Sequence, residues 1–392
     1  MRYHSSVVSM PVGESSRPWS FPSLRLGLVA ASCLVGVAVV VGCTDPLRVH
    51  PSGIVGTGGT ASSTGPVDCG PVDTQTDNDN CGGCGIVCSA PSPSMAACTL
   101  GRCLITLVSG QTIAGIAVGA TSVYWTNWAD AVMKVPMGGG KPTILASGQN
   151  TPDGVTLDAS HVYWTNYDNY GSVMKVPIGG GTPTTLASGQ TFPAKIAVDA
   201  TNVYWATWAG YGTHGAVMRA PVGGGTATTL ATSQDTPVGL TVDATSVYWE
   251  THENSGTVVR VPIGGGTPAA LASGQITTWG IAVDATSVYY CAYSGDGSTG
   301  AVMKAPIGGG TATTLAPLHC QSTAVDATNV YWTNYDSDGN GTVMKAPIGG
   351  GSPTTLASLP SQPDSLAVDA TSVYWTTYGN GDGMVLMKLT PK

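Results

Sequence analysis

A short pattern repeated seven times constrains what this chain can fold into. The sequence Val-Tyr-Trp-Thr-Asn at 162–166 recurs, with variation, until the end of the chain. Successive copies lie 39 to 44 residues apart, a period typical of architectures in which one small structural unit is repeated. The central aromatic residues of the copies are Trp125, Trp164, Trp205, Trp249, Tyr290, Trp332 and Trp375.

Each period predicts four short antiparallel strands, which we name A to D in chain order. In the third period these are 196–198, 203–206, 216–220 and 226–230. An Asp-Ala-Thr-Asn turn joins A to B, because these polar side chains bond to their own backbone. A Gly-Gly-Gly hairpin joins C to D, because glycine accepts positive φ. Four strands per period are typical of a β-propeller blade.

The two ends of the repeat region predict how the ring closes. The last strand C, at 384–389, is followed by no Gly-Gly-Gly turn and no strand D, whereas 104–108 matches the strand D pattern upstream of the first strand A. We therefore predict an all-β fold with seven four-stranded blades over 104–392. The N-terminal strand completes the last blade, a 1+3 closure that leaves no large open sheet edge.

The Tyr-Trp-Thr-Asn core resembles the YWTD propellers of low-density lipoprotein receptors. Those propellers have six blades and Asp in the fourth position, which Asn127, Asn166 and Asn334 occupy in three copies here. The resemblance implies a β-propeller and a binding role, but not receptor function. Adjacent Tyr and Trp in strand B point to opposite faces, so we expect both to lie in the core between blades.

The two ends of the predicted propeller differ in sequence. The A–B and C–D turns are nearly identical in all copies and share one end, which we call the constant end. The B–C and D–A connections share the other end and differ in length and chemistry. We call this the variable end and expect any site there, because divergent loops on a rigid scaffold usually carry recognition.

Aromatic and histidine side chains of the variable end are the candidate binding residues. They could stack on sugars or peptides, and loop packing is the alternative interpretation. The candidates are Trp128, Tyr167, Tyr170, Trp208, Tyr211, His214, His252, Trp279, Tyr293, His319, Tyr335 and Tyr378.

Catalysis is an alternative to binding. Some bacterial seven-bladed propellers are metal-dependent lyases or hydrolases, and the D–A connections supply acidic, basic and His residues. These candidates are Asp153, Lys195, Asp235, Trp279, His319 and Asp364. No nucleophile elbow, phosphate loop or HExxH motif is present in the sequence. A purely structural envelope protein is the third interpretation.

One loop has half of a calcium-binding pattern. Asp336, Asp338 and Asn340 place oxygen ligands at alternate positions around a glycine, as at the start of a calcium loop. The closing Glu is missing, since Pro347 stands at the twelfth position. The two interpretations of this segment are therefore a calcium site and an ordinary hairpin loop. No other cofactor is expected.

Strand C carries one basic residue in every copy: Lys134, Lys175, Arg219, Arg260, Lys304, Lys345 and Lys388. We expect these side chains to form exposed ion pairs with the acidic residues of the A–B turns, and a cationic ring is the alternative. The acidic residues are Asp158, Asp199, Asp243, Asp284, Asp326 and Asp369.

The segment 67–103 is small, poor in apolar residues and rich in cysteine: Cys69, Cys81, Cys84, Cys88, Cys98 and Cys103. Such a segment needs cross-links to fold, so we predict disulfides, whose pairing the sequence leaves open. A zinc site at Cys81 and Cys84 is the alternative. The run 77–88 resembles Cys-rich modules of secreted myxobacterial proteins. A further disulfide is predicted between Cys291 and Cys320.

The N-terminal region predicts export. Residues 1–42 contain a basic segment and an apolar run, and Val-Val-Gly-Cys at 40–43 resembles a bacterial lipobox with Cys43 as the lipidated residue. Cys33 is a weaker candidate, and an uncleaved membrane anchor is the alternative. Residues 43–66 are rich in Gly, Ser and Thr and predict a flexible tether.

Composition narrows the function. The net charge is -8, only 10% of residues are charged and there is no basic cluster, which argues against nucleic-acid binding. We therefore expect a monomeric lipoprotein of the cell envelope or outer membrane, held to the membrane by its lipid alone. Its β-propeller is expected to bind a protein or a glycan.

Overall fold

The fold was analysed in a computed structural model of the chain. It describes residues 73–83, 86–208, 214–252, 256–274, 276–293, 300–336, 338–378 and 383–392, and only the backbone of 276–279. All of these belong to one compact unit, 65–392. The predicted signal peptide, Cys43, the tether, Cys69 and Cys84 lie outside the described residues, so what the sequence indicates for them stays a prediction.

The described strands form seven sheets, one for each repeat. Blade 1 contains β3 (Ile113–Val118), β4 (Ser122–Asn127), β5 (Ala131–Pro136) and β6 (Thr143–Ala146). Blade 2 contains β7 (Pro152–Leu157), β8 (His161–Asn166), β9 (Gly171–Pro177) and β10 (Thr184–Gln190). Blade 3 contains β11 (Pro193–Val198), β12 (Asn202–Thr207), β13 (His214–Pro221) and β14 (Thr228–Asp235).

The remaining blades follow the same order. Blade 4 contains β15 (Pro237–Val242), β16 (Ser246–Thr251), β17 (Thr257–Pro262) and β18 (Ala269–Ser273). Blade 5 contains β19 (Ile276–Val283), β20 (Ser287–Tyr293), β21 (Gly300–Pro306) and β22 (Thr313–Ala316). Blade 6 contains β23 (Thr323–Val325), β24 (Asn329–Tyr335), β25 (Gly341–Pro347) and β26 (Thr354–Leu359). Blade 7 contains β27 (Pro363–Val368), β28 (Val373–Tyr378), β29 (Met384–Thr390), β2 (Arg102–Gln111) and β1 (Met95–Thr99).

The predicted closure is confirmed. Strand β2 pairs with β29 in antiparallel register, with Leu104 opposite Leu389, so the N-terminal strand completes blade 7. The structure adds a fifth strand that the sequence analysis did not predict, because β1 pairs with the outer edge of β2. The hairpin between them turns at Leu100 and Gly101, which both have positive φ, as a two-residue turn between twisted strands requires.

The core consists of contacts between consecutive blades. In each of seven hydrophobic clusters, the Tyr of one strand B packs in the same cluster as the central aromatic residue of the next blade. The Tyr and central aromatic side chains are all 0–1% exposed. The pairs are Tyr124–Trp164, Tyr163–Trp205, Tyr204–Trp249, Tyr248–Tyr290, Tyr289–Trp332, Tyr331–Trp375 and Tyr374–Trp125. The last pair joins blade 7 to blade 1 and closes the ring.

At the constant end, the Asp of the A–B turn bonds to the Tyr of strand B in blades 2 to 7. In blade 2, the Tyr163 hydroxyl donates to Asp158 Oδ2 at 2.7 Å, while Asp158 Oδ1 accepts the backbone N–H of Ser160 and His161. Partial burial acts to raise the pKa of Asp158, but these hydrogen bonds outweigh it and hold the pKa below its ordinary value. The Tyr163 pKa is raised by burial and by the same carboxylate.

The expected ion pairs between these Asp residues and the basic residues of strand C are not found among the described residues. Six of the seven basic side chains donate instead to a backbone carbonyl of the next blade. Lys134 Nζ lies 2.8 Å from Ile178 O, and Lys388 Nζ lies 3.0 Å from Met137 O across the closure. The other four bonds are Lys175 to Val222, Arg219 to Ile263, Arg260 to Ile307 and Lys304 to Ile348. The basic residues therefore link neighbouring blades.

Two disulfides cross-link the Cys-rich segment, Cys81–Cys98 and Cys88–Cys103. Cys98 lies in β1 and Cys103 lies opposite it in β2, so the segment is fastened to the closing blade. The Sγ atoms of Cys81, Cys88 and Cys103 lie within 4.8 Å of one another. They could hold a metal ion only if the disulfides were reduced, because a disulfide sulfur offers no thiolate.

No helix within the described residues has the length and apolar character that a bilayer span requires.

Replacing a buried strand B tryptophan is expected to destabilise the propeller. Trp205 is fully buried, and Trp205→Ala should lower the free energy of unfolding by about 3–5 kcal/mol, measured by urea denaturation. Trp128→Ala is the matched control, since Trp128 is 56% exposed and its loss should change stability by no more than about 0.5 kcal/mol. Similar losses for both variants would contradict the assignment of strand B aromatics to the core.

Candidate functional site

Three loops of the variable end are built alike. The D–A connections into blades 2, 3 and 4 read Gln-x-x-Pro, at 149–152, 190–193 and 234–237. In each, the Gln Oε1 accepts the indole N–H of the core Trp of the same blade at 3.1 Å. The residue before each proline has a positive φ, 50° for Thr151, 41° for Phe192 and 43° for Thr236. Such backbone conformations cost about 1–3 kcal/mol each and cluster at functional sites.

A second set of residues surrounds the same end of the propeller. The third residue after the central aromatic of strand B is aromatic or His in all seven blades: Trp128, Tyr167, Trp208, His252, Tyr293, Tyr335 and Tyr378. We call these the variable-end aromatics. The backbone N–H groups of five of them bond to the D–A connections, for example Tyr167 to Thr151 O at 2.9 Å and Trp208 to Phe192 O at 3.1 Å. The three strained loops therefore position Tyr167, Trp208 and His252.

Four variable-end aromatics line one cavity of about 400 Å³ between blades 1 and 4. This volume lies within the range of about 300–1,000 Å³ common for small-ligand sites. The rings of Tyr167 and Trp208 stack, with centroids 6.2 Å apart and planes inclined by 27°, and Phe192 packs against Tyr167 with ring centroids 5.2 Å apart. The lining residues are Trp128, Thr151, Asp153, Tyr167, Ala194, Trp208, Thr236, Pro237, Val238 and His252.

The central channel is lined by the A strands of all seven blades, around a smaller cavity of about 200 Å³. Glycine or serine stands at most of the inward positions, at 115, 154, 280, 322 and 365, and Lys195 is the charged residue of this lining. Small side chains leave the channel open, so the long Lys195 side chain has room at its axis.

A group of charged residues lies where the channel meets the variable end. Burial raises the pKa of Asp364 above its ordinary value; the charge of Lys195 and a hydrogen bond from Gln321 oppose this, and the charge of Asp153 adds to it. Gln321 Nε2 donates to Asp364 Oδ1 at 3.1 Å, and Gln362 Nε2 donates to Gln321 Oε1 at 3.0 Å. The structure thus brings together three of the six residues considered for catalysis, Asp153, Lys195 and Asp364.

The other catalytic candidates lie elsewhere. His214 Nδ1 lies 2.7 Å from Asp235 Oδ1 at the outer edge of blade 3. His319 packs against the Tyr293 ring with centroids 5.1 Å apart. Trp279 lies in strand β19, but its side chain lies outside the described residues. The structure therefore does not assemble all six candidates into one group.

The other binding candidates whose side chains the structure describes do not line the cavity. Tyr170 is 82% exposed and Tyr335 is 39% exposed. The Tyr293 hydroxyl donates to Cys320 O at 2.8 Å, beside the predicted disulfide Cys291–Cys320, which is confirmed with a Cα–Cα distance of 5.5 Å. Tyr211 lies outside the described residues.

The loop considered for calcium is held by its own hydrogen bonds. Asp336 Oδ1 accepts the backbone N–H of Asp338 at 3.0 Å and of Asn340 at 2.9 Å, and Oδ2 accepts the Asn340 side-chain amide at 3.2 Å. These bonds hold the pKa of Asp336 below its ordinary value. Calcium binding by this loop stays a prediction.

Glu250 departs from the repeat inside the core. It replaces the Thr that follows the central Trp, whose hydroxyl elsewhere accepts a strand A N–H, as Thr165 does from Gly154 at 3.0 Å. Glu250 is fully buried, and neither carboxyl oxygen has a hydrogen-bond partner among the described residues. Burial raises its pKa well above the ordinary value. Its carboxyl lies against Gly239, where an added Cβ would clash with Glu250 Oε2.

Tyr290 faces Glu250 from blade 5. It is fully buried where other blades have Trp, and its hydroxyl has no hydrogen-bond partner among the described residues. Burial and the charge of Glu250 raise the pKa of Tyr290 to about 12. The two departures from the repeat therefore meet at one blade interface.

Sequence reasoning named most of the cavity aromatics but missed three features. These are the shared position of the variable-end aromatics, the Gln-x-x-Pro loops with Phe192, and the buried Glu250. All three are visible when the seven copies are aligned on their central aromatic residue, because each is defined by a fixed offset from it.

The chain was compared with known proteins. No protein-family model matches it, and no curated protein matches it in sequence. Among solved structures it is similar to an oligogalacturonate lyase in complex with manganese (TM-score 0.58, 12% identity, covering 74% of this chain and 94% of that one). It is also similar to an oligogalacturonate lyase from Vibrio parahaemolyticus (0.56, 11%, 74% and 94%) and to the WD40 β-propeller domain of Doa1 (0.51, 12%, 72% and 94%). At such identities the similarity shows the propeller fold alone.

The buried carboxyl of Glu250 predicts a pH-dependent effect on stability. Its pKa in the folded protein is raised above 4.5, so on raising the pH the unfolded chain loses the proton first and stability falls. Glu250→Gln removes this loss, and its melting temperature relative to the wild type should therefore increase from pH 4 to pH 8. Asp338→Asn, at an exposed position, is the control and should show no such trend. An equal difference at both pH values for Glu250→Gln would show that Glu250 is not buried in its neutral form.

Proposed function

We propose that the chain is an exported, lipid-anchored β-propeller of the bacterial cell envelope that binds a glycan in the cavity at its variable end. The observation that carries this proposal is the group of aromatic side chains that line one recess, the stacked pair Tyr167 and Trp208 together with Trp128. Aromatic faces offer large, rigid apolar surfaces beside polar atoms. Such surfaces suit sugar rings, which have one apolar face and a rim of hydroxyls.

The size of the cavity favours a glycan over a protein partner. A stable protein interface covers about 800 Å² per partner, whereas the aromatic residues here line a recess of about 400 Å³. A recess of this size takes a small unit such as a sugar residue at the end of a chain. The strained, hydrogen-bonded loops around it also fix its shape before a ligand arrives, which lowers the entropic cost of binding.

Export is supported by the disulfides. The described residues contain three of them, Cys81–Cys98, Cys88–Cys103 and Cys291–Cys320, and disulfides persist mainly in oxidising compartments. The apolar run before Cys43 and the polar tether after it complete the proposal. Together they would hold the propeller at the membrane surface with room to reach a glycan.

A second candidate function is cleavage of the bound glycan. Asp153, which lines the cavity, interacts electrostatically with Asp364, whose carboxyl also interacts with Lys195. A buried carboxyl group whose pKa is raised, as that of Asp364 is, can supply the proton, and a second carboxylate beside it can accept one, which are the acid and base that glycan cleavage needs. The similar structures named as oligogalacturonate lyases act through their own residues, and at 11–12% identity they support the fold on which such a site would lie.

Glycan binding is expected to depend on the cavity aromatics. The full chain, purified in detergent, should bind members of a glycan array, and Trp128→Ala should weaken binding of a hit at least tenfold in calorimetry because it removes an aromatic contact. Tyr170→Ala is the matched control, since Tyr170 is exposed and does not line the cavity. The absence of any glycan hit would contradict the proposal, and release of shortened products from a hit would favour the second candidate.

Lipidation is expected at Cys43. In a bacterium fed labelled palmitate, the wild-type chain should incorporate label, and Cys43→Ser should abolish incorporation because the modified sulfur is lost. Cys33→Ser is the matched control, at the weaker lipobox, and should retain the label. Loss of label in Cys33→Ser, with label retained in Cys43→Ser, would contradict the prediction and show that Cys33 is the lipidated residue.

A further inference from the structure

The cavity contains a carboxylate that the propeller does not use. Asp153 lines the cavity, and among the described residues its side chain forms no hydrogen bond or ion pair. Its backbone carbonyl accepts the Thr126 hydroxyl of blade 1, which fixes the residue in place. The equivalent positions in blades 3 and 4 are Ala194 and Val238, which also line the cavity. One repeat position therefore supplies two apolar groups and one carboxylate.

A carboxylate beside aromatic walls favours a positively charged ligand group. Lys195 and Asp364 belong to the same charged group as Asp153, but neither forms an ion pair with it among the described residues. Moving a charge without an ion-pair partner away from water is costly, so a neutral ligand that filled the cavity would leave Asp153 poorly solvated. A cation relieves this cost, and it is also attracted to the faces of Trp and Tyr rings such as Trp128 and Tyr167. The chain carries a net charge of -8, which further favours the approach of a cation.

The arrangement of the rings distinguishes among cationic ligands. Tyr167 and Trp208 stack roughly parallel, with planes inclined by only 27°. A cage for a thin lysine side chain or a compact quaternary ammonium group would instead set its rings at steep angles around a point. Parallel rings suit a flat ligand group such as the apolar face of a sugar ring.

We propose that the bound sugar carries a protonated amine and that Asp153 accepts its hydrogen bond, so that the ligand is a glycan with unacetylated amino sugars. This inference rests on the proposed function and specifies its ligand class. The aromatic wall holds the sugar ring, and the Asp153 carboxylate selects the ammonium group over the neutral acetamide of an acetylated sugar.

The test compares two oligosaccharides that differ only at the nitrogen. The full chain in detergent is titrated calorimetrically at about pH 6 with a glucosamine tetramer and with its N-acetylated counterpart. We expect the glucosamine tetramer to bind at least tenfold more tightly. Asp153→Asn should remove most of this preference, while the acetylated tetramer changes little. Asp130→Asn, exposed at the same end of the propeller, is the matched control and should keep the preference.

The outcomes separate this inference from the proposed function. Equal binding of both tetramers, or a preference that survives in Asp153→Asn, would overturn the role of Asp153 and leave glycan binding standing. Binding of neither tetramer, with array hits among other glycans, would overturn the ligand class, and no glycan hit at all would overturn the proposed function.

A second measurement does not need the variant to fold. For the wild type, affinity for the glucosamine tetramer should fall at least tenfold as the pH rises past the amine pKa, because the ammonium charge is lost. Affinity for the acetylated tetramer should stay constant over the same range. Parallel pH profiles for the two tetramers would contradict the inference.

Discussion

The structure depends on one contact made seven times, between the Tyr of one strand B and the central aromatic residue of the next blade. A single blade cannot bury both faces of its sheet, so each repeat is stable only beside its neighbours. Tyr374 and Trp125 pack in the cluster between blades 7 and 1, so the outward-facing surfaces of the first and last blades are also buried against each other. Pairing of β2 with β29 removes the remaining open edge in the same place.

Because these contacts and the basic residues of strand C hold the blades together, the variable end is free to diverge. The Gln-x-x-Pro loops differ in their middle residues but are held to the core in the same way. Each is fastened to a core tryptophan by its Gln and enters strand A through proline, which fixes φ. The positive φ at the residue between them is therefore imposed by both ends of the loop. A recess built from such loops keeps its shape without a ligand.

The fold could be read from the sequence because seven copies average out the ambiguity of any one of them. Strand number, blade number and closure all followed from the repeat. The fifth strand, β1, did not, because Met-Ala-Ala-Cys-Thr has no repeat partner and pairs only through the adjacent hairpin. The expected ion pairs did not form because six of the seven basic side chains reach a backbone carbonyl of the next blade instead. The sequence identified the cavity aromatics as candidates. It did not predict that those of blades 1 to 4 line one cavity, because the repeat spacing does not determine how closely neighbouring loops approach each other.

The residue after the central aromatic shows how the repeat varies without losing the ring. In blades 1, 2 and 6 its Thr hydroxyl bonds to a strand A carbonyl of the next blade. In blade 5 the residue is Cys291, and its disulfide with Cys320 reaches the connection into blade 6, so a covalent bond replaces the hydrogen bond.

Blades 3 and 4 have Ala206 and Glu250 at this position. Ala206 has no polar side-chain atom, and neither carboxyl oxygen of Glu250 has a hydrogen-bond partner among the described residues. Blade 4 is therefore fastened to its neighbours at the constant end, through Arg219 and Arg260, but lacks this link on both sides towards the variable end. Since Val238 and His252 of blade 4 line the cavity, the recess borders a blade that lacks this link. Its shape on that side therefore depends on the Gln-x-x-Pro loop at 234–237, which accepts the indole N–H of Trp249 through Gln234 and the backbone N–H of His252 through Thr236.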